Sequence, residues 1–77
     1  MDGKTTLNHI PIGQCGTVVS LESCGKERRR MLDLGLVEGT VVQALQKSPS
    51  GDPVAYSIRG AVIALREEDA RLISVLQ

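Results

Sequence analysis

The chain has 77 residues, enough for one domain that removes roughly 60% of its unfolded surface from water and too few for a second core. Nine basic residues cancel nine acidic ones, which removes the broad attraction that nucleic-acid backbones demand of their binding proteins. The longest apolar run, Ala61 to Leu65, falls far short of the ~20 residues of a membrane helix, so the chain is not read as membrane-embedded.

Residues 1–6 lack the charged and apolar regions of a secretory signal and are read as a flexible N-terminal tail, with a single domain over 7–77 in the cytoplasm. Gly3-Lys4-Thr5 matches the end of a phosphate-binding loop, but the glycine that belongs five residues earlier is missing and no strand precedes it. Leu7, Ile10 and Ile12 alternate loosely around Pro11, which cannot donate to a ladder, so residues 7 to 12 are read as an edge strand or extended arm. That edge leaves a homodimer open. Thr17 to Glu22 has strong strand propensity and is interrupted by Ser23 to Gly25.

Lys26 to Leu34 are good helix formers, with Met31, Leu32 and Leu34 as a narrow apolar stripe and Arg28 to Arg30 facing water. Gly35 suits the left-handed residue after the helix cap, and a Schellman closure there folds Leu36 back over Met31. Gly39-Thr40 opens a strand from Val41 to Lys47, and Ser48-Pro49-Ser50-Gly51 has the residue order of a type I turn. Pro53 begins the next strand, in which Val54, Tyr56 and Ile58 share a face. The strand after it, Val62 to Arg66, carries Ile63 and Leu65 inward.

Two turns connect these last strands, Gly60-Ala61 as type II′ or Arg59-Gly60 as type I′. Both keep the same residues inward. Type I′ forces Arg59 to positive φ, so turn chemistry favours Gly60-Ala61. Glu67 to Ala70 forms one helical turn with its acids at the positive end of the dipole, and Leu72 to Leu76 is a closing strand. Tyr56 is the single aromatic residue, so Val, Leu, Ile and Ala must fill the interior, as suits a narrow barrel. The expectation is a mainly β, SH3-like barrel of about five strands, with one short inserted helix and a helical turn before the last strand.

Little in the chain is reactive. No Ser or Cys has a histidine placed for a relay, and Glu67, Glu68 and Asp69 sit together on one turn, so an enzyme is not expected. His9, Cys15 and Cys24 are the soft metal ligands apart from Met1 and Met31, yet spacings of six and nine residues match no zinc pattern. A buried cysteine and a surface histidine explain them more simply, the thiols are read as free, and no cofactor is expected. One tyrosine cannot build a polyproline groove or a base-stacking platform. Four positive charges within Lys26 to Arg30, followed by Leu36 and Val37, give the composition of a protein interface. Arg28, Arg29, Leu36 and Val37 are the expected contacts, with Ser50 and Asp52 at a loop tip.

The sequence Arg30-Met31-Leu32-Asp33-Leu34-Gly35-Leu36, then Glu38-Gly39-Thr40, Ser48 to Pro53, Arg59-Gly60, Ile63 to Arg66 and Asp69-Ala70 resembles the FeoA family over about Ile12 to Val75. Gly35, Gly39, Gly51, Pro53 and Gly60 fall on that pattern as structural turns. Ser50, Ala44 and Ala55 depart from it, standing where bulkier or more apolar residues are usual. The resemblance implies an SH3-like fold, a cytosolic accessory role in bacterial ferrous iron transport, and association with the membrane permease FeoB and its GTP-binding domain. The alternative it implies is a metal-sensing module related to the C-terminal domain of DtxR-type repressors, here without a helix-turn-helix.

Overall fold

The computed structural model describes residues 3–77; Met1 and Asp2, part of the tail expected over 1–6, lie outside the described residues. In chain order the elements are β1 (Lys4–Thr6), a single 3-10 turn (Leu7–His9), β2 (Cys15–Leu21), α1 (Gly25–Asp33), β3 (Val41–Lys47), β4 (Val54–Ile58), β5 (Ala61–Leu65), α2 (Glu67–Ala70) and β6 (Ile73–Leu76). The strands form one antiparallel sheet in the order β1-β6-β2-β3-β4-β5. Register shifts at Val18/Ser20 and Ala44/Gln46 are bulges, and they bend the two longest strands. The sheet thereby wraps a core of Val18, Val42, Ala44, Tyr56, Ile58, Leu65, Ile73 and Val75. Leu7, Ile10, Met31 and Leu36 complete that core from the connecting segments.

The helix ends as its residues dictate. Leu36 N–H donates to Met31 O at 3.1 Å and Gly35 N–H to Leu32 O at 3.0 Å, the two bonds of a Schellman closure, with Gly35 at φ 98°. Met31 is the one buried residue of α1. Burial of that side chain, worth about 2 kcal/mol, and the Gly35 closure therefore hold the helix down. Gly39, Gly51 and Gly60 also adopt positive φ, and Gly51 N–H closes the Ser48 turn at 2.8 Å. The Asp52–Pro53 peptide is cis.

Several expectations are corrected. Among the described residues there are six strands, because Lys4–Thr6, read as tail, pairs with β6, the β-branched Thr5 and Thr6 lying opposite Val75 and Ser74. No strand occupies 7–12. Leu7 and Ile10 are both buried, and their spacing of three matches one 3-10 turn, whereas the loose alternation left Ile12 exposed. Pro11 lies in a turn closed by Gln14 N–H on Pro11 O, so the sheet edge that would have supported a homodimer there does not exist.

The β4–β5 turn is also the other one. Ile58 pairs with Ala61, and Arg59 (φ 51°) and Gly60 (φ 85°) are its two central residues, a type I′ turn. The left-handed penalty on Arg59, about 1–2 kcal/mol, is overridden by the match between this turn and the twist of its strands, and by tertiary contact. A Cβ built on Gly35 would stand 2.5 Å from Arg59 Cδ, so the arginine stem lies against the glycine that ends α1.

Candidate docking surface

Helix periodicity divides the basic run of α1 between two sides. Arg28 and Leu32, four residues apart, share the side facing β2, and Arg30 faces α2. Arg28 Nη1 donates to Leu21 O at 3.1 Å, which carries the guanidinium across the β2–α1 gap. Arg30 sits 3.7 Å from Asp69 and Arg66 sits 3.9 Å from Asp52, exposed pairs worth no more than about 1 kcal/mol each. Lys26, Arg28 and Arg29 form no ion pair among the described residues.

Two of the expected contact residues play other parts. Leu36 is fully buried, since the Schellman closure turns it into the core, and it contributes only to the floor of a groove. Asp52 is a cap: its Oδ1 accepts from Glu67 N–H at 2.9 Å, supplying the acceptor that Arg66, the residue before α2, lacks. Ser50 Oγ donates to Asp52 O at 3.0 Å and stiffens the same turn. Asp52 is thus tied to the start of α2, and neither Ser50 nor Asp52 lines the groove that holds Arg28; a charged cleft of about 520 Å³ is lined by Glu27, Arg30, Pro53, Arg66, Glu68 and Asp69.

What the structure brings together instead is Arg28, Leu32 and Val37. A groove of about 220 Å³ runs between α1 and β2, with Val18, Leu21 and Leu36 in its lining and Leu32 and Val37 partly exposed beside it. It is smaller than the roughly 300 Å³ at which small-molecule sites begin, and suits a single apolar side chain. A second groove of about 380 Å³ lies on the far side of Val37, lined by Thr40, Val41 and Arg59. Of the apolar stripe expected on α1, Met31 is buried and Leu32 is exposed. Arg59 carried no sequence signal as a contact, because its place depends on the β4–β5 turn type, and Val41 was legible only as the start of β3.

The soft ligands do not meet. His9 Nδ1 lies 3.1 Å from Thr6 Oγ1, and Cys15 and Cys24 are free and exposed, so the expectation of a buried cysteine fails. Cys15 opens β2 and Cys24 lies three residues beyond its end, so the extended run of β2, about 20 Å long, stands between them. Among the described residues no three His, Cys, Asp or Glu side chains cluster for a metal, and no helix is long and apolar enough to cross a membrane. Among the described residues Tyr56 is the one titratable group clearly displaced: burial, then the carboxylates of Asp52 and Glu67, push its phenol above the ordinary value.

The FeoA domain profile matches residues 5–76. The chain belongs to the FeoA family. It is 36% identical over 69 residues to the Fe(2+) transport protein A/Fe(2+) transporter FeoB fusion protein of Porphyromonas gingivalis, covering 90% of this chain but only 8% of that relative. Among solved structures, the FeoA-like protein of Clostridium acetobutylicum superposes with a TM-score of 0.86 at 35% identity, over 97% of this chain and 87% of that one. The zinc complex of Stenotrophomonas maltophilia FeoA, described as a procaryotic SH3 domain protein, gives 0.83 at 28% identity over 92% and 88%. The SH3-like barrel of the sequence reading is thus the fold of this FeoA domain. A manganese-dependent transcriptional repressor shares it at 18% identity, TM-score 0.85, over 100% of this chain and 43% of the repressor, a likeness of fold alone.

Proposed function

We propose that this FeoA domain is a non-catalytic, cytoplasmic docking module of ferrous iron uptake that binds the cytosolic, GTP-binding part of a FeoB-type permease and biases its conformational cycle. The observation that carries the reading is the fusion relative, in which a matching domain and the transporter share one chain. The surface supports it through α1, where Arg28 lies beside the apolar Val37 corner and neither Arg28 nor the exposed Arg29 forms an ion pair among the described residues. Such a module acts only as far as it binds one state of the permease better than another.

Titrating the purified cytosolic part of the cognate permease tests this, in its nucleotide-free and GTP-bound states. Binding is expected, with Arg29→Glu weakening it by about tenfold while thermal unfolding stays within a degree or two, since Arg29 is exposed and unpaired. No association at high micromolar concentration in either state overturns the reading. The metal-sensing alternative has support only in the shared fold of the manganese repressor, and the separation of His9, Cys15 and Cys24 counts against it.

A further inference from the structure

Val37 is a ridge with a groove on either side, and three of the exposed large apolar side chains lie along this one strip: Leu32 (38%), Val37 (37%) and Val41 (58%). Each end carries an arginine. Arg28 lines the α1–β2 groove and Arg59 lines the other, and neither forms an ion pair among the described residues. Glu38 borders both grooves and is the single acid of the strip.

Arg59 is the less ordinary of the two. Its backbone is left-handed at φ 51°, at a turn position that asparagine, aspartate or glycine fills with less strain, so the turn itself does not ask for arginine. Its stem lies against Gly35, where a Cβ would come within 2.5 Å of Cδ, and that contact holds the side chain on the Val37–Val41 groove. A guanidinium oriented in this way beside an exposed apolar strip is suited to bidentate capture of a carboxylate.

We infer that the strip from Arg28 through Val37 to Arg59 holds one segment of the permease, an extended stretch with large apolar side chains in the middle and a carboxylate at each end, and that Arg59 is the second anionic anchor. Charge complementarity selects this partner: each groove carries a guanidinium without an ion-pair partner among the described residues, Arg28 keeping only its bond to Leu21 O, and the apolar ridge between them excludes an evenly charged segment. The inference rests on the docking reading above. It adds the chemistry of the bound segment and a contact residue from a different turn of the fold.

The test titrates wild type, Arg59→Gln and Arg59→Lys with the cytosolic part of the permease, with thermal unfolding of each variant alongside. Arg59→Gln keeps most of the stem over Gly35 and loses the charge, so affinity falls about tenfold with an unchanged melting temperature, and Arg59→Lys restores part of the loss. If wild type and Arg59→Gln bind alike, the strip is not the contact although docking stands. If the permease part does not bind wild type, the docking reading fails, and a second probe decides on the strip. That probe is the blocked peptide Asp-Glu-Leu-Ile-Leu-Glu-Asp against its counterpart with lysine at every acidic position, followed by amide NMR. Shifts at Leu32, Val37 and Val41 with the acidic peptide alone support the inference; equal shifts with both, or none, overturn it.

Discussion

Tyr56 is 2% exposed, and its hydroxyl feels the carboxylates of Asp52 and Glu67. Burial is the larger reason that its phenol titrates above the usual 10.0, with the two acids adding to it. A folded-state value above the unfolded one favours the protonated phenol in the fold. The resulting stability is whole below about pH 10 and drains away as pH rises through the folded value, because only the unfolded chain ionises readily there. Tyr56→Phe should therefore flatten the alkaline limb of the stability curve, measured as urea midpoints between pH 9 and 11 relative to wild type. As the single tyrosine, it also reports its own ionisation by phenolate absorbance. Single residues were unevenly legible in the sequence. Gly35 declared its conformation through the apolar pair around it, Met31 and Leu36, whereas Arg59 concealed its own, since a penalty of about 1–2 kcal/mol is small enough for strand twist and the Gly35 contact to overrule.

α2 is a four-residue helix whose start is capped by a side chain from another turn, Asp52. The cap outweighs the nearby Arg66–Asp52 pair, because an exposed pair at 3.9 Å contributes little while a missing N-cap typically costs about 1 kcal/mol. Asp52→Ala is accordingly expected to lower stability by about 1 kcal/mol in urea unfolding. Asp52→Asn, which keeps the acceptor, should lose well under half of that. Equal losses in the two variants would assign the effect to charge and not to the cap. Elements with a strong local signature were readable: α1, β3, β4 and α2 stand within a residue of their expected bounds. The N-terminal stretch was not, because a spacing of three between Leu7 and Ile10 looks like a weak alternation until tertiary burial decides it.

The whole molecule is a barrel whose interior comes from every strand except β1, with α1 inserted between β2 and β3. The β3–β4 and β4–β5 neighbours could be read from the turns that join them, whereas the places of β1 and β6 could not. The grooves on either side of Val37 were legible only in Arg28 and Val37, since their other walls come from β2, β3 and the β4–β5 turn, which are remote in sequence. The first and last strands are neighbours, with Gln77 N–H donating to Gly3 O at 3.2 Å. A permutant that joins Gln77 to Gly3 through a short glycine linker and opens between Pro49 and Ser50 should keep a single cooperative transition. Loss of cooperative unfolding would show that the Ser48 turn does more than connect β3 to β4.

The same neighbourhood decides how the domain answers mechanical load. Tension on both ends meets Gly3–Gln77 first, then Lys4–Leu76, then Thr5–Val75, so the rungs part in sequence, as teeth do when a zip is drawn. A pull on the two ends should therefore peel β1 away while β6 keeps its other partner, β2.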